Sequence, residues 1–77
     1  MNDKCDVVVD ARGLDCPLPL LKAKQALNRM AAGELLKICA TDAGSVRDFA
    51  VFSEQSGHPL VSSEEHDGEY RYIIRKT

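Results

Sequence analysis

Among 77 residues, the side chain with the clearest chemical potential is Cys16, set in the stretch Gly13-Leu14-Asp15-Cys16-Pro17-Leu18-Pro19-Leu20-Leu21-Lys22. A thiol acts as a nucleophile through its thiolate, so its surroundings decide its use. Two prolines beside it would break a helix interior. In a first helical turn they cost little, because those N–H groups have no intrahelical partner. The pattern therefore predicts a helix opening at Cys16, with Pro17 at N1 and Pro19 at N3. A thiol placed there meets the positive end of the helix dipole, which favours the anion. Pro19 lacks an N–H, which leaves Leu18 as the main capping donor. Asp15 opposes ionisation, and Arg12 and Lys22 offset it. The expectation is a modestly activated thiol on a stiff Gly-Leu-Asp-Cys-Pro loop.

The other candidate groups do not assemble a catalytic set. His58 and His66 lie far along the chain, in a helix-to-strand turn and near a hairpin. A cysteine hydrolase needs a base held against its nucleophile and a cleft around it. Cys5, Cys16 and Cys39 are odd in number and widely spaced, so no disulfide framework and no zinc pair follows. Cys39 reads as strand packing, and Cys5 lies near the terminus. No metal site and no cofactor is expected. An exposed nucleophile without catalytic apparatus suits a carrier, which accepts a group from one protein and presents it to another.

The elements that position Cys16 follow from periodicity. Val7-Val8-Val9 is a β-branched run and predicts a strand. Leu20, Ala23, Leu27 and Met30, with Ala26, form the apolar stripe of a first helix that Gly33 ends. Lys22, Gln25 and Arg29 form its wet face. Leu35 to Thr41 predicts a second strand, with Leu36, Ile38 and Ala40 on one face and Leu35, Lys37, Cys39 and Thr41 on the other. Ser45-Val46-Arg47-Asp48 has the form of a capping box. The helix it opens should bury Val46, Phe49, Ala50 and Phe52, and end at Gly57. Pro59 to Ser63 predicts a third strand, Asp67-Gly68 a hairpin turn, and Tyr70 to Lys76 a fourth strand.

The order β-α-β-α-β-β predicts a two-layer α/β (α+β) sandwich. Its four-stranded mixed sheet should carry two helices on one face. In a β-α-β unit, loops leaving parallel strands share one edge. That brings Asp42, Ser45, Arg47 and Asp48 toward Cys16. Capping is the simple reading of Ser45. Arg12, Lys22, Lys24 and Arg29 read equally as a basic patch around the sulfur or as a solvated helix face.

Composition narrows the function classes. A chain this short is one domain, 1–77, and buries only about 60% of its unfolded surface, so any site is shallow or shared with a partner. Ten basic against twelve acidic residues give a net charge of −2, which argues against a dedicated nucleic-acid binder. No stretch reaches the ~18 apolar residues of a membrane span. The polar start, Met1 to Asp6, lacks a secretion-signal pattern, so a cytoplasmic location is expected.

Asp10-Ala11-Arg12-Gly13-Leu14-Asp15-Cys16-Pro17-Leu18-Pro19, followed by Lys22, closely resembles the CPxP signature of the TusA/SirA family of small sulfur carriers. Ala40-Thr41-Asp42, Arg47-Asp48-Phe49 and Gly57-His58-Pro59-Leu60 fit as well, at matching spacing, and the resemblance spans nearly the whole chain. It implies a fold similar to the C-terminal domain of a bacterial translation initiation factor. It also implies a non-enzymatic role, in which Cys16 carries sulfane sulfur as a persulfide. Arg12, Gly13, Pro17, Pro19 and Lys22 are its supporting residues, and Asp42, Arg47 and Asp48 are candidate partner contacts. The implied donor is a cysteine desulfurase or a rhodanese-type enzyme. The implied acceptor is a downstream relay protein, serving tRNA 2-thiouridine synthesis, molybdenum-cofactor enzyme maturation or sulfur oxidation. A monomer with transient complexes is expected. Ala43 stands where many relatives have proline. Two other readings compete: an RNA-binding module, and a redox regulator in which Cys16 forms a sulfenic acid.

Overall fold

The computed structural model describes residues 5–77, so most of the polar N-terminal stretch lies outside the described residues. The elements run β1 (Val7–Ala11), α1 (Leu18–Leu27), β2 (Leu35–Ala40), α2 (Gly44–Ser56), β3 (Leu60–His66) and β4 (Glu69–Arg75). The sheet order is β1-β2-β4-β3. β1 and β2 pair in parallel, with Ala11 opposite Ala40, and the other two pairings are antiparallel. This is the predicted mixed sheet with two helices on one face.

Alternation along β2 buries Leu36, Ile38 and Ala40 against the helices and leaves Leu35, Lys37 and Cys39 half-buried on the open side. α1 contributes Ala23 and Leu27, and Met30 follows it into the core. Tyr72 and Phe49 are the largest fully buried side chains. Their rings stack with centroids 4.5 Å apart. Each fully buried side chain of this size contributes about 1.5–3 kcal/mol, and the stacked geometry adds about 0.5–1.5 kcal/mol. The pair pins α2 to β4. Asp67 (φ 52) and Gly68 (φ 81) make the β3–β4 turn, because two successive positive φ angles match the twist of the flanking strands.

Several expected boundaries and burials are corrected. α1 ends at Leu27, six residues before Gly33, and the Lys76 ammonium donates to the Leu27 carbonyl at 2.8 Å. β3 runs on to His66, because its backbone pairs with β4 up to the hairpin despite the polar sequence. On α2 only Ser45 and Phe49 are fully buried, with Phe52 half-buried. Val46 and Ala50 are exposed, because a helix on one side of a molecule only 18 Å across its shortest axis buries a narrow stripe. Ser45 is not a cap. α2 starts at Gly44 with Ala43 before it and no side-chain bond from that cap position. The Asp42 carboxylate instead accepts the Gly44 N–H at 3.0 Å. Ser45 turns inward, and its hydroxyl meets the Tyr72 hydroxyl at 2.7 Å.

Candidate functional site

The parallel β1–β2 pair sends two loops out from one sheet edge, and these loops build the site. The first, after β1, is held by the Gly13 N–H, which donates to Thr41 Oγ1 at 2.9 Å. Gly13 has φ +82, a conformation that L side chains rarely adopt. The chain then turns, with the Leu18 N–H donating to the Asp15 carbonyl at 2.8 Å. The Cys16–Pro17 peptide is cis.

Cys16 precedes the helix by one residue more than its sequence predicts. Pro17 is the N-cap, Leu18 the first helical residue and Pro19 the second. The physical reason is the bond between Leu18 and Asp15, which closes a turn around Cys16 and removes the amide expected to cap the sulfur. Pro19 still costs no helical bond in the first turn. Its ring is buried.

The thiol faces across to α2. Cys16 is exposed, and its Sγ donates to Asp48 Oδ2 at 2.5 Å. The start of α2 also lies against it: a Cβ added at Gly44 would stand 3.4 Å from Cys16 Cβ and 3.7 Å from Sγ. The hydrogen bond to the Asp48 carboxylate raises the thiol pKa from its ordinary 9.0 to about 11. Desolvation and the charges of Asp48 and Asp42 act in the same direction. The expected modest activation is therefore overturned. The free thiol is held protonated, because both charged groups bearing on it are carboxylates.

None of the basic residues expected around the sulfur is among the groups that shift it. Arg12 forms a two-pronged pair with Asp10, through Nε at 2.9 Å and Nη2 at 3.0 Å, and lies 3.8 Å from Glu69. This pair, with the Arg12 backbone N–H, brings the Asp10 carboxyl down to about 2. Lys24 lies over the Phe52 ring at 5.6 Å. Lys22 and Arg29 line a groove with Val7 and Val9. Arg47 lines the groove between the helices with Leu20, Lys24, Asp48, Val51 and Phe52. Beside the thiol loop, Leu14, Leu18, Leu21, Lys22 and Gln25 enclose a shallow groove of about 260 Å³. Leu18 and Leu21 are exposed there, at 45% and 49%.

Of the predicted site residues, Cys16, Asp42 and Asp48 come together, and Gly13 tethers the loop that carries the first. Gly44 was missed. Its signal was Gly two residues after Asp42 at a helix start, where a Cβ would crowd the carboxylate that accepts the Gly44 N–H. The described residues contain no group of acidic, histidine and cysteine side chains able to hold a metal ion. No helix among them is long and apolar enough to cross a membrane.

A small two-layer sheet carrying one exposed, hydrogen-bonded cysteine at its loop edge defines a class of thiol-presenting domains, and comparison with known proteins narrows the class. Residues 7–76 match the family described as "Sulfurtransferase TusA". A protein of Allochromatium vinosum named sulfur carrier protein TusA is 47% identical over 72 residues, covering 94% of this chain and 95% of its own. A Pseudomonas putida protein of the same name is 44% identical over 71 residues, covering 92% and 89%. Among solved structures, a SirA-like protein from Desulfitobacterium hafniense superposes with a TM-score of 0.80 at 27% identity, covering 90% of this chain and 95% of that one. The chain belongs to the TusA family.

Proposed function

We propose that this protein is a sulfur carrier that holds sulfane sulfur as a persulfide on Cys16 and hands it to a second protein. The observation that carries the reading is an exposed cysteine on a braced loop, in a chain whose relatives are named sulfur carriers. In loading, the Cys16 sulfur attacks the outer sulfur of a donor persulfide. A new Sγ–S bond forms, the donor S–S bond breaks, and its electron pair leaves on the donor cysteine as thiolate. The sulfane sulfur moves without net oxidation. The donor is a cysteine desulfurase or rhodanese-type enzyme. The acceptor is a relay protein of tRNA 2-thiouridine synthesis, molybdenum-cofactor enzyme maturation or sulfur oxidation. Both partners dock on a cytoplasmic monomer, beside the Cys16 loop and the first turns of α2, where Asp42, Arg47 and Asp48 lie. Arg12 and Gly13 brace the loop, and Pro17, Pro19 and Lys22 shape the helix start behind it. The protein turns over no substrate of its own.

Incubation with a cysteine desulfurase and cysteine should add one sulfur atom by mass, removable by reductant. Cys16→Ser should abolish the gain, whereas Cys5→Ser and Cys39→Ser should keep it. Loading that survives Cys16→Ser would overturn the assignment.

A further inference from the structure

Asp48 makes a contact that presentation of a thiol does not require. Its carboxylate oxygen accepts the hydrogen of the Cys16 thiol directly. The geometry is built rather than incidental. Asp48 sits one turn after Ser45, whose buried hydroxyl bonds to Tyr72, and one residue before Phe49, which stacks on the same ring. Those two anchors fix the rotation of α2 about its axis. The Cys16 loop packs against the first turn at Gly44, where a Cβ would stand 3.4 Å from Cys16 Cβ. Each charged group bearing on the sulfur is accounted for: Asp48 from α2 and Asp42 from the loop that enters it.

We propose that Asp48 is the proton acceptor for Cys16, keeping the thiol closed in the free protein and taking its proton as the sulfur attacks. The inference rests on the carrier reading above but extends to any attack by Cys16 on an electrophilic sulfur. In that step the S–H bond breaks and its proton passes to Asp48 Oδ2. The pair left on Sγ forms the new S–S bond, and the bond broken on the partner gives its pair to the leaving group. Positioned proton transfer of this kind is worth about 10²–10⁴-fold. The arrangement has a second consequence. A persulfide on Cys16 ends in an acidic outer sulfur, and two carboxylates beside its root repel that anion toward solvent. Asp48 thus quiets the empty carrier and turns the loaded sulfur outward.

The pH profile of attack separates this role from a simple electrostatic brake. The probe is methyl methanethiosulfonate, which does not ionise, loses methanesulfinate on attack and leaves a mixed disulfide. The rate is read by quenched flow and mass spectrometry on the peptide carrying Cys16. The wild-type rate should be nearly level from pH 6 to 8, because the thiol hydrogen passes within the Cys16–Asp48 pair and need not first be lost to solvent. Asp48→Asn should follow free thiolate, climbing about tenfold per pH unit. The two profiles should cross, with the variant at least tenfold slower at pH 6 and faster near pH 9. Asp48→Glu should recover part of the level region. A variant faster at every pH would reduce Asp48 to a brake, and coincident profiles would remove it altogether; either result overturns the proposal. The readout needs no sulfur donor, so it stands whether or not desulfurase loading succeeds.

Discussion

The Ser45 hydroxyl and the Tyr72 hydroxyl lie 2.7 Å apart in the core, joining the first turn of α2 to the centre of β4. Tyr72 is fully buried, and its burial raises its pKa while the bond to Ser45 works against that rise. Ser45→Ala would leave the phenol hydroxyl without its partner inside the protein. A loss of about 1–3 kcal/mol is expected, because a buried polar group pays its full desolvation penalty. In a domain of this size, each kcal/mol lowers Tm by about 4–8 °C. Tyr72→Phe together with Ser45→Ala should cost less than the sum of the single changes, and thermal melts of the four proteins measure the coupling.

The thiol titration should be abnormal. Ultraviolet thiolate absorbance at Cys16 should show a midpoint near 11 in the wild type, moving back toward 9.0 in Asp48→Asn. The direction for stability follows from a raised acid. The fold favours the protonated thiol, so this contact stabilises fully below pH 9 and is lost as pH rises toward 11. Urea midpoints of wild type and Asp48→Asn should converge across that window.

Asp10 gives the opposite case. Its carboxyl is held at about 2 by Arg12, so the pair contributes above pH 3.8 and fades as pH falls toward 2. The pair is exposed, so Arg12→Ala should leave Tm nearly unchanged. Its signature is the Asp10 carboxyl returning toward 3.8 in an NMR titration.

Gly44→Ala tests the hold on the Asp42 carboxylate. The new Cβ would fall 2.8 Å from Asp42 Oδ2, which is too close, so the Asp42 carboxylate must swing away and release the Gly44 N–H. Losing the cap costs about 1 kcal/mol, while alanine in a helix returns nearly as much. Tm should therefore change by only a few degrees. Cys16 should be alkylated faster at pH 8, because a carboxylate that suppresses its ionisation has moved.

The β-α-β-α-β-β order, the alternating face of β2 and the Asp67-Gly68 turn were all legible, because each rests on local periodicity or on a conformation few residues adopt. The convergence of Asp42 and Asp48 on Cys16 was legible from topology alone, since parallel strands send their loops to one edge. The sign of the effect on the thiol was not. It depends on the Asp48 carboxylate meeting Sγ, a contact between side chains 32 positions apart that no local pattern reveals. Ser45 misled for a similar reason. A serine before an acid three residues on fits a cap, but the hydroxyl had a better partner in Tyr72, far along the chain. Val46 and Ala50 looked like core because apolar spacing does not reveal how narrow a stripe a thin domain covers.

The parallel register that sets Ala11 beside Ala40 also governs when this thiol comes under control. Asp48 lies 32 positions from Cys16, and the Thr41 tether lies 28 positions from Gly13. Neither contact exists until a whole β-α-β unit has closed, a loop entropy that must be overcome before any contact repays it. An emerging or unfolded chain therefore bears an ordinary, unguarded cysteine. Thiol reactivity during refolding becomes a clock for the β1–β2 pairing, read at Cys16.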